Sequence, residues 1–282
     1  MAKNGLINLE IGKEGARFWL LPFVVGIYEN QIGNMDEEMA ILFESYYQQA
    51  FVNVMRVQPQ FHRVVPIGKT IDNTMEIQPY ENIASLVDAA QSWAVFDCIC
   101  RKQKTLIGEG CDHPLDVCMA LSAHPNAFKN HPVFKDATHE EALAALKRAS
   151  DAGLVHTVSN NQESLHYICN CCTCSCGVLR GMAEMGLANV VARSAFVCQF
   201  DRALCTDCAL CVDDCQFDAL AFDGELVFTE HRCVGCGICV QNCPEGALSL
   251  VRRPDAELPP VTEGEWMRER AAARQIDLDQ VL

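Results

Sequence analysis

Residues 205–215 read CTDCALCVDDC and residues 233–243 read CVGCGICVQNC, each a CxxCxxCxxxC run, with Pro244 after the second. Thiolates at these gaps suit a four-iron cubane. Two-residue spacers in a coil let three successive sulfurs wrap one cluster while backbone amides point at its sulfides, and the fourth ligand comes from elsewhere. Zinc also accepts CxxC pairs, but it does not need three cysteines in succession followed by a three-residue gap. Setting residues 205–220 against 233–248 gives a repeat of period 28 in which all four cysteines, the valine after the third and the closing Ala-Leu coincide. Two copies imply two similar half-sites.

On these motifs, residues 194–252 resemble the bacterial two-cluster, 2[4Fe-4S] ferredoxins, over about a fifth of the chain. The resemblance implies their fold and an electron-transfer role. In such runs the last cysteine ligates the other cluster, which assigns Cys205, Cys208, Cys211 and Cys243 to one cubane and Cys233, Cys236, Cys239 and Cys215 to the second. Two positions depart from the pattern. Gln216 stands where proline usually follows the fourth cysteine, and Asp207 replaces the frequent glycine seen at Gly235. Losing the proline alters loop shape without removing a ligand.

Of the 18 cysteines, ten lie outside these runs: Cys98, Cys100, Cys111 and Cys118 in DCICRKQKTLIGEGCDHPLDVC, Cys169, Cys171, Cys172, Cys174 and Cys176 in ICNCCTCSC, and Cys198. One cubane cannot take all five thiolates of the second set, because adjacent side chains diverge. The two sets are expected to fold against one another and hold one or two further iron-sulfur clusters. Zinc is the competing reading, and a redox-active dithiol at Cys171 and Cys172 is the third. His113 and His166 lie near cysteine sets in sequence and are candidate ligands. His124, His131 and His139 flank prolines or helix starts and read as surface or capping groups, and Cys198 as a small buried hydrophobe.

CxCR, the glycine-flanked CxxPxxxC stretch and CNCCxCxC together are similar to larger ferredoxin-domain proteins of anaerobic and sulfur-metabolising microbes. That resemblance implies a winged-helix-like start, with the first helices of that region preceding this chain.

The elements that position these residues are partly legible. With 282 residues, half of them hydrophobic, the chain can bury a sizeable core, and its 37 acids against 22 bases leave a net charge of -15. That charge disfavours duplex nucleic acid and anionic lipid, and favours a partner with a basic docking surface. The start shows no secretory signal, and the apolar stretch 18–27 (FWLLPFVVGI) is about half a membrane span, so the expectation is a cytoplasmic chain with reduced thiols and no membrane span. Strands LINLEI and ARFWLL flank the turn Gly12-Lys13-Glu14-Gly15, and a helix starts at Asp36. A second helix is expected over 80–94. A third opens on the Thr138/Glu141 capping box and stops at Gly153, after which LVHTV and LHYIC pair as strands that deliver Cys169. Beyond Arg252 the sequence predicts a proline-rich acidic linker and a solvated terminal helix near 266–274.

The expected class is therefore α+β: an N-terminal hairpin and helix region (1–78), a cysteine-rich metal-binding domain (79–193), a 2[4Fe-4S] ferredoxin domain (194–252) and a linker with a helix (253–282). The expected role is electron transfer as a relay or subunit of an anaerobic oxidoreductase, rather than stand-alone enzymology, since no Walker loop, GxGxxG or GxSxG is present. The alternative is a redox-responsive regulatory or DNA-binding sensor.

Overall fold

The computed structural model describes residues 1, 5–12, 15–71, 75–131, 133–187 and 189–278. Strands β1 (Ile7–Gly12) and β2 (Gly15–Leu20) form the antiparallel hairpin, from Ile7↔Leu20 to Gly12↔Gly15. Its turn residues Lys13 and Glu14 lie outside the described residues. Phe18 and Leu20 are exposed on β2, so the first half of the apolar stretch 18–27 is surface, whereas Phe23 and Val24 pack into the interior. Asp36 caps α1 (Glu37–Tyr46) by accepting from the Met39 N–H at 2.9 Å, and the helix runs through one wide turn into α2 (Val52–Met55).

The molecule is organised on a seven-stranded sheet. In chain order come β3 (His62–Val64), α3 (Ile83–Ala89), β4 (Ser92–Phe96), α4 (Ile99–Leu106), β5 (Cys118–Ser122), β6 (Lys135–Ala137), α5 (His139–Asp151), β7 (Val155–Ser159), β8 (Tyr167–Cys171), α6 (Arg180–Ala183) and β9 (Val191–Ala192). Across the sheet the order is β6-β4-β5-β8-β7-β3-β9, antiparallel throughout except for the β3–β9 pair. Strand β3, from the segment expected to be a separate N-terminal region, is hydrogen-bonded between β7 and β9, so residues 1–78 and 79–193 share one sheet.

The helix expected over 80–94 is shorter. Asn82 caps α3, Ala90 is extended, and the β-favouring Ser-Trp-Ala-Val-Phe becomes β4. The capping box of α5 forms as expected, and β7 pairs with β8 through Val155↔Cys171 and Thr157↔Cys169.

The period-2 alternation of the strands sorts the core. On one face Val65, Met119, Val158 and Ile168 pack with Ile83 and Val87 of α3 and Leu146 of α5. On the other, Val64, Val155 and Cys171 pack with Tyr47 and Phe51 and with Phe217 and Val234 of the C-terminal region.

That region holds β10 (Phe196–Phe200), α7 (Leu210–Asp213), β11 (Leu220–Phe222), β12 (Leu226–Phe228), α8 (Ile238–Asn242) and β13 (Leu248–Arg252). Strand β10 pairs with β13 and β11 with β12. The final helix, α9 (Glu263–Ala273), starts at a Thr262/Glu265 capping box. Met267, Arg268 and Glu269 lie on its solvated face, while its other face is held. Buried Arg270 donates to the carbonyls of Val54, Val57 and Pro59, and the Trp266 Nε1–H donates to Gln60 O at 2.8 Å. The preceding linker is held as well, with the Gln162 N–H donating to Pro260 O at 3.0 Å.

Candidate iron–sulfur and metal centres

One cavity in the C-terminal region is lined by Cys205, Cys208, Cys211 and Cys243, three cysteines of the first run and the last of the second. The Asp207 N–H approaches Cys205 Sγ at 3.4 Å. The second set gathers around Cys236, whose thiol is raised by burial and by the neighbouring Cys239, Cys233 and Cys215. The Ala219 N–H donates to Cys215 Sγ at 3.3 Å. Burial likewise pushes the Cys211 thiol up to about 11. Thiols held neutral this way need a cationic core to become ligands. These donor sets fit iron-sulfur ligation, and a cluster bound there supplies one-electron chemistry.

The two runs share a backbone device. Asp207 and Ala209 in the first, and Gly235 and Gly237 in the second, are all left-handed, with φ of 57°, 60°, 72° and 80°. What differs is the room beside them. A Cβ at Gly235 would lie 2.1 Å from Phe196 O and one at Gly237 2.5 Å from Thr70 Oγ1, so packing as well as φ demands glycine there. The first run has Asp207 at the rim, held by Arg202 through two contacts of 2.7 and 2.6 Å. Cys198, on β10, is buried with its Sγ 3.9 Å from that of Cys239.

A second, apolar cavity lies on the thiol-bearing face of the seven-stranded sheet and is lined by Cys98, Cys100, Cys118, Cys169, Cys171 and Cys176. Cys98 caps α4 and Cys100 lies in it, Cys118 opens β5, and Cys169 and Cys171 lie two apart on β8. Cys176 follows after the chain turns back. The thiols face one another in series: Cys98 meets Cys118 and Cys100, Cys100 meets Cys176, and Cys171 meets both Cys176 and Cys169. Glu29 also lines the cavity, and burial raises its carboxyl to about 7.

Arg101 lies behind the thiols of this cavity without lining it. It is 2% exposed, and its Nη1 donates to Asn170 O at 2.9 Å, while Nε and Nη2 have no hydrogen-bond partner among the described residues. It sits beside Cys98, Cys118 and Cys172. A buried guanidinium with orphaned donors calls for anionic neighbours, which metal-bound thiolates supply. The strand that presents Cys169 and Cys171 is locked by the residue between them. The Asn170 side chain donates to Val117 O and accepts from His156 Nδ1–H at 2.5 Å, with His156 in the neutral tautomer that its burial enforces.

The remaining central thiols form a different group. Cys111 and His113 lie in the loop after α4, and Cys172 and Cys174 follow β8. Their ligand atoms all lie within 4.8 Å of one another. Thus the sets 98–118 and 169–176 do meet, but each is divided between two places. The end of β8 accounts for the division, since Cys172 leaves the face that carries Cys169 and Cys171. His166 is exposed, with Nδ1 near Ser164 O and its ring against Tyr167, away from either thiol group. The C-x-H and C-x-C spacings were the available signal for His113. Nothing in the sequence marked Asn170 as the lock.

Gln216 joins the C-terminal region to this group. Its Oε1 accepts from the Thr173 N–H at 2.8 Å, and its Nε2 donates to Gly153 O at 2.5 Å. A proline there could do neither. Cys215 and Cys236 also pack against the core that contains Cys171 and Cys176, and Arg252 forks onto Glu81 at 2.7 and 2.8 Å.

Residues 226–249 match the family model of the 4Fe-4S binding domain. No curated protein matches the chain. The α+β chain is thus an iron-sulfur protein whose 4Fe-4S binding domain lies in its C-terminal part. No helix among the described residues is long and apolar enough to cross a membrane.

Proposed function

We propose that the protein is a one-electron relay. In this reading the C-terminal region carries two [4Fe-4S] clusters, on Cys205, Cys208, Cys211 and Cys243 and on Cys233, Cys236, Cys239 and Cys215. A third iron-sulfur centre uses four of the six thiols in the central cavity, Cys171 among them. The observation that carries the reading is the ordered placement of thiols: Cys208 is exposed, Cys236 is packed against the sheet core, and Cys171 and Cys176 lie within that same core. Electrons would enter at the exposed end and pass inward.

The surface beside Cys208 supports a protein partner. Leu204 and Leu210 are half exposed or more, and Asp201, Asp213 and Glu245 are exposed around them. A redox protein or oxidoreductase subunit with a basic rim and a small apolar centre would complement this face. The reading places the chain in the cytoplasm, where thiols stay reduced.

The test is to purify the chain anaerobically and count iron and acid-labile sulfide. The relay predicts about 12 irons per chain, from three four-iron centres. About 8 would leave the central cavity without a cluster and end the inward relay.

A further inference from the structure

We propose that Cys111, His113, Cys172 and Cys174 hold one zinc ion in a mononuclear tetrahedral site, separate from every iron-sulfur centre. Among these atoms, Cys111 Sγ lies 3.9 Å from Cys172 Sγ, and His113 Nδ1 lies 3.4 Å from Cys111 Sγ and 3.6 Å from Cys174 Sγ. Zinc–sulfur bonds of about 2.3 Å and zinc–nitrogen bonds of about 2.0 Å in a tetrahedron give edges of about 3.8 Å between sulfurs and about 3.5 Å between sulfur and nitrogen. The observed spacings match one small ion at the centre. A cubane, whose thiolates bond four different irons, holds its ligands much further apart.

The donor set and the surrounding charge agree with that size. Three thiolates and a neutral imidazole around a dication leave one negative charge, and Arg101 Nη1 lies 4.0 Å from Cys172 Sγ to offset it. The ligands come from two loops, one leading into β5 and the other leaving β8. The first turns at Gly108, which has φ of +78°, and at Gly110, where a Cβ would meet Thr105 Oγ1 at 2.8 Å. The second carries Thr173, which lies between two of the ligands and donates its N–H to Gln216. Zinc has no redox chemistry of its own. Its role here is to clamp the two loops together and hold the surface on which Gln216 docks the C-terminal region.

The experiment is metal analysis of the anaerobically purified full chain, its Cys174→Ser and His113→Asn variants, and the chain reloaded with Co²⁺. The wild type should contain about one zinc per chain, and each variant should lose it with iron and acid-labile sulfide unchanged. Co²⁺ in the same site should show the intense visible absorption of tetrahedral thiolate coordination, and both variants should lose it. A wild type without zinc, or loss of iron with the zinc in both variants, overturns the proposal. The iron count of the wild type tests the relay separately, so either reading can fail alone.

Discussion

Three thiols of each C-terminal set come from seven consecutive residues, Cys205 to Cys211 and Cys233 to Cys239, whereas the central cavity assembles its six from α4, β5, β8 and the turn beyond. The first arrangement is local: once the coil bends through its left-handed residues, the sulfurs converge. The second exists only if β8 keeps its register between β5 and β7 and α4 keeps its place beneath them. A centre of the first kind should therefore survive damage that abolishes the second.

The largest expected effect comes from Asn170→Ala. It leaves Val117 O and the His156 donor buried without partners, at a cost of about 3–5 kcal/mol. Iron should fall from about 12 to about 8 per chain, the C-terminal clusters being retained. A parallel loss from both regions would show that they are not independent.

Gly235→Ala should come next, at about 2–4 kcal/mol in the denaturation midpoint, because the new methyl would meet the Phe196 carbonyl. Acid should then act on the central sheet. Burial holds His156 and His62 neutral, with values of about 4 against an ordinary 6.5. The folded state thus binds fewer protons than the unfolded, and stability is lost as pH falls below about 6.5 toward 4. Each histidine should cost about 2 kcal/mol by pH 5. His156→Gln should show a shallower fall over pH 7 to 5 in denaturation curves.

Gln216→Pro removes a side chain that bonds the C-terminal region to the loop after β8 and to the end of α5. It should remove the bonds to Thr173 and Gly153, cost about 1–2 kcal/mol, and slow reduction of the central centre in stopped flow while the iron count stays the same. The smallest effect is expected from Asp207→Gly, with a denaturation midpoint close to that of the wild type, since relief of its left-handed backbone offsets the lost Arg202 pair.

The same contrast explains what could be read from the sequence. The CxxCxxCxxxC repeat, the helix at Asp36, the capping box at Thr138 and the β7–β8 hairpin were visible because spacing alone dictates them. The partition of ICNCCTCSC was not, because it depends on where β8 ends. Nor was the shortening of the 80–94 helix, where local strand preference and pairing of β4 with β5 outweigh the apolar stripe. Arg270 read as one more charge of a solvated helix, and only the fold shows it clasping three carbonyls of residues 54–59.

The inward relay requires a redox-active centre in the inner cavity, distinct from the C-terminal pair. It is tested most directly by low-temperature EPR of the dithionite-reduced protein and its Cys171→Ser variant, each with an iron count. Such a centre should give a third paramagnetic signal in the wild type. Cys171→Ser should abolish or alter that signal while leaving the C-terminal pair as it was, with a loss of up to about 4 irons. A spectrum and iron content identical in the two proteins would contradict it.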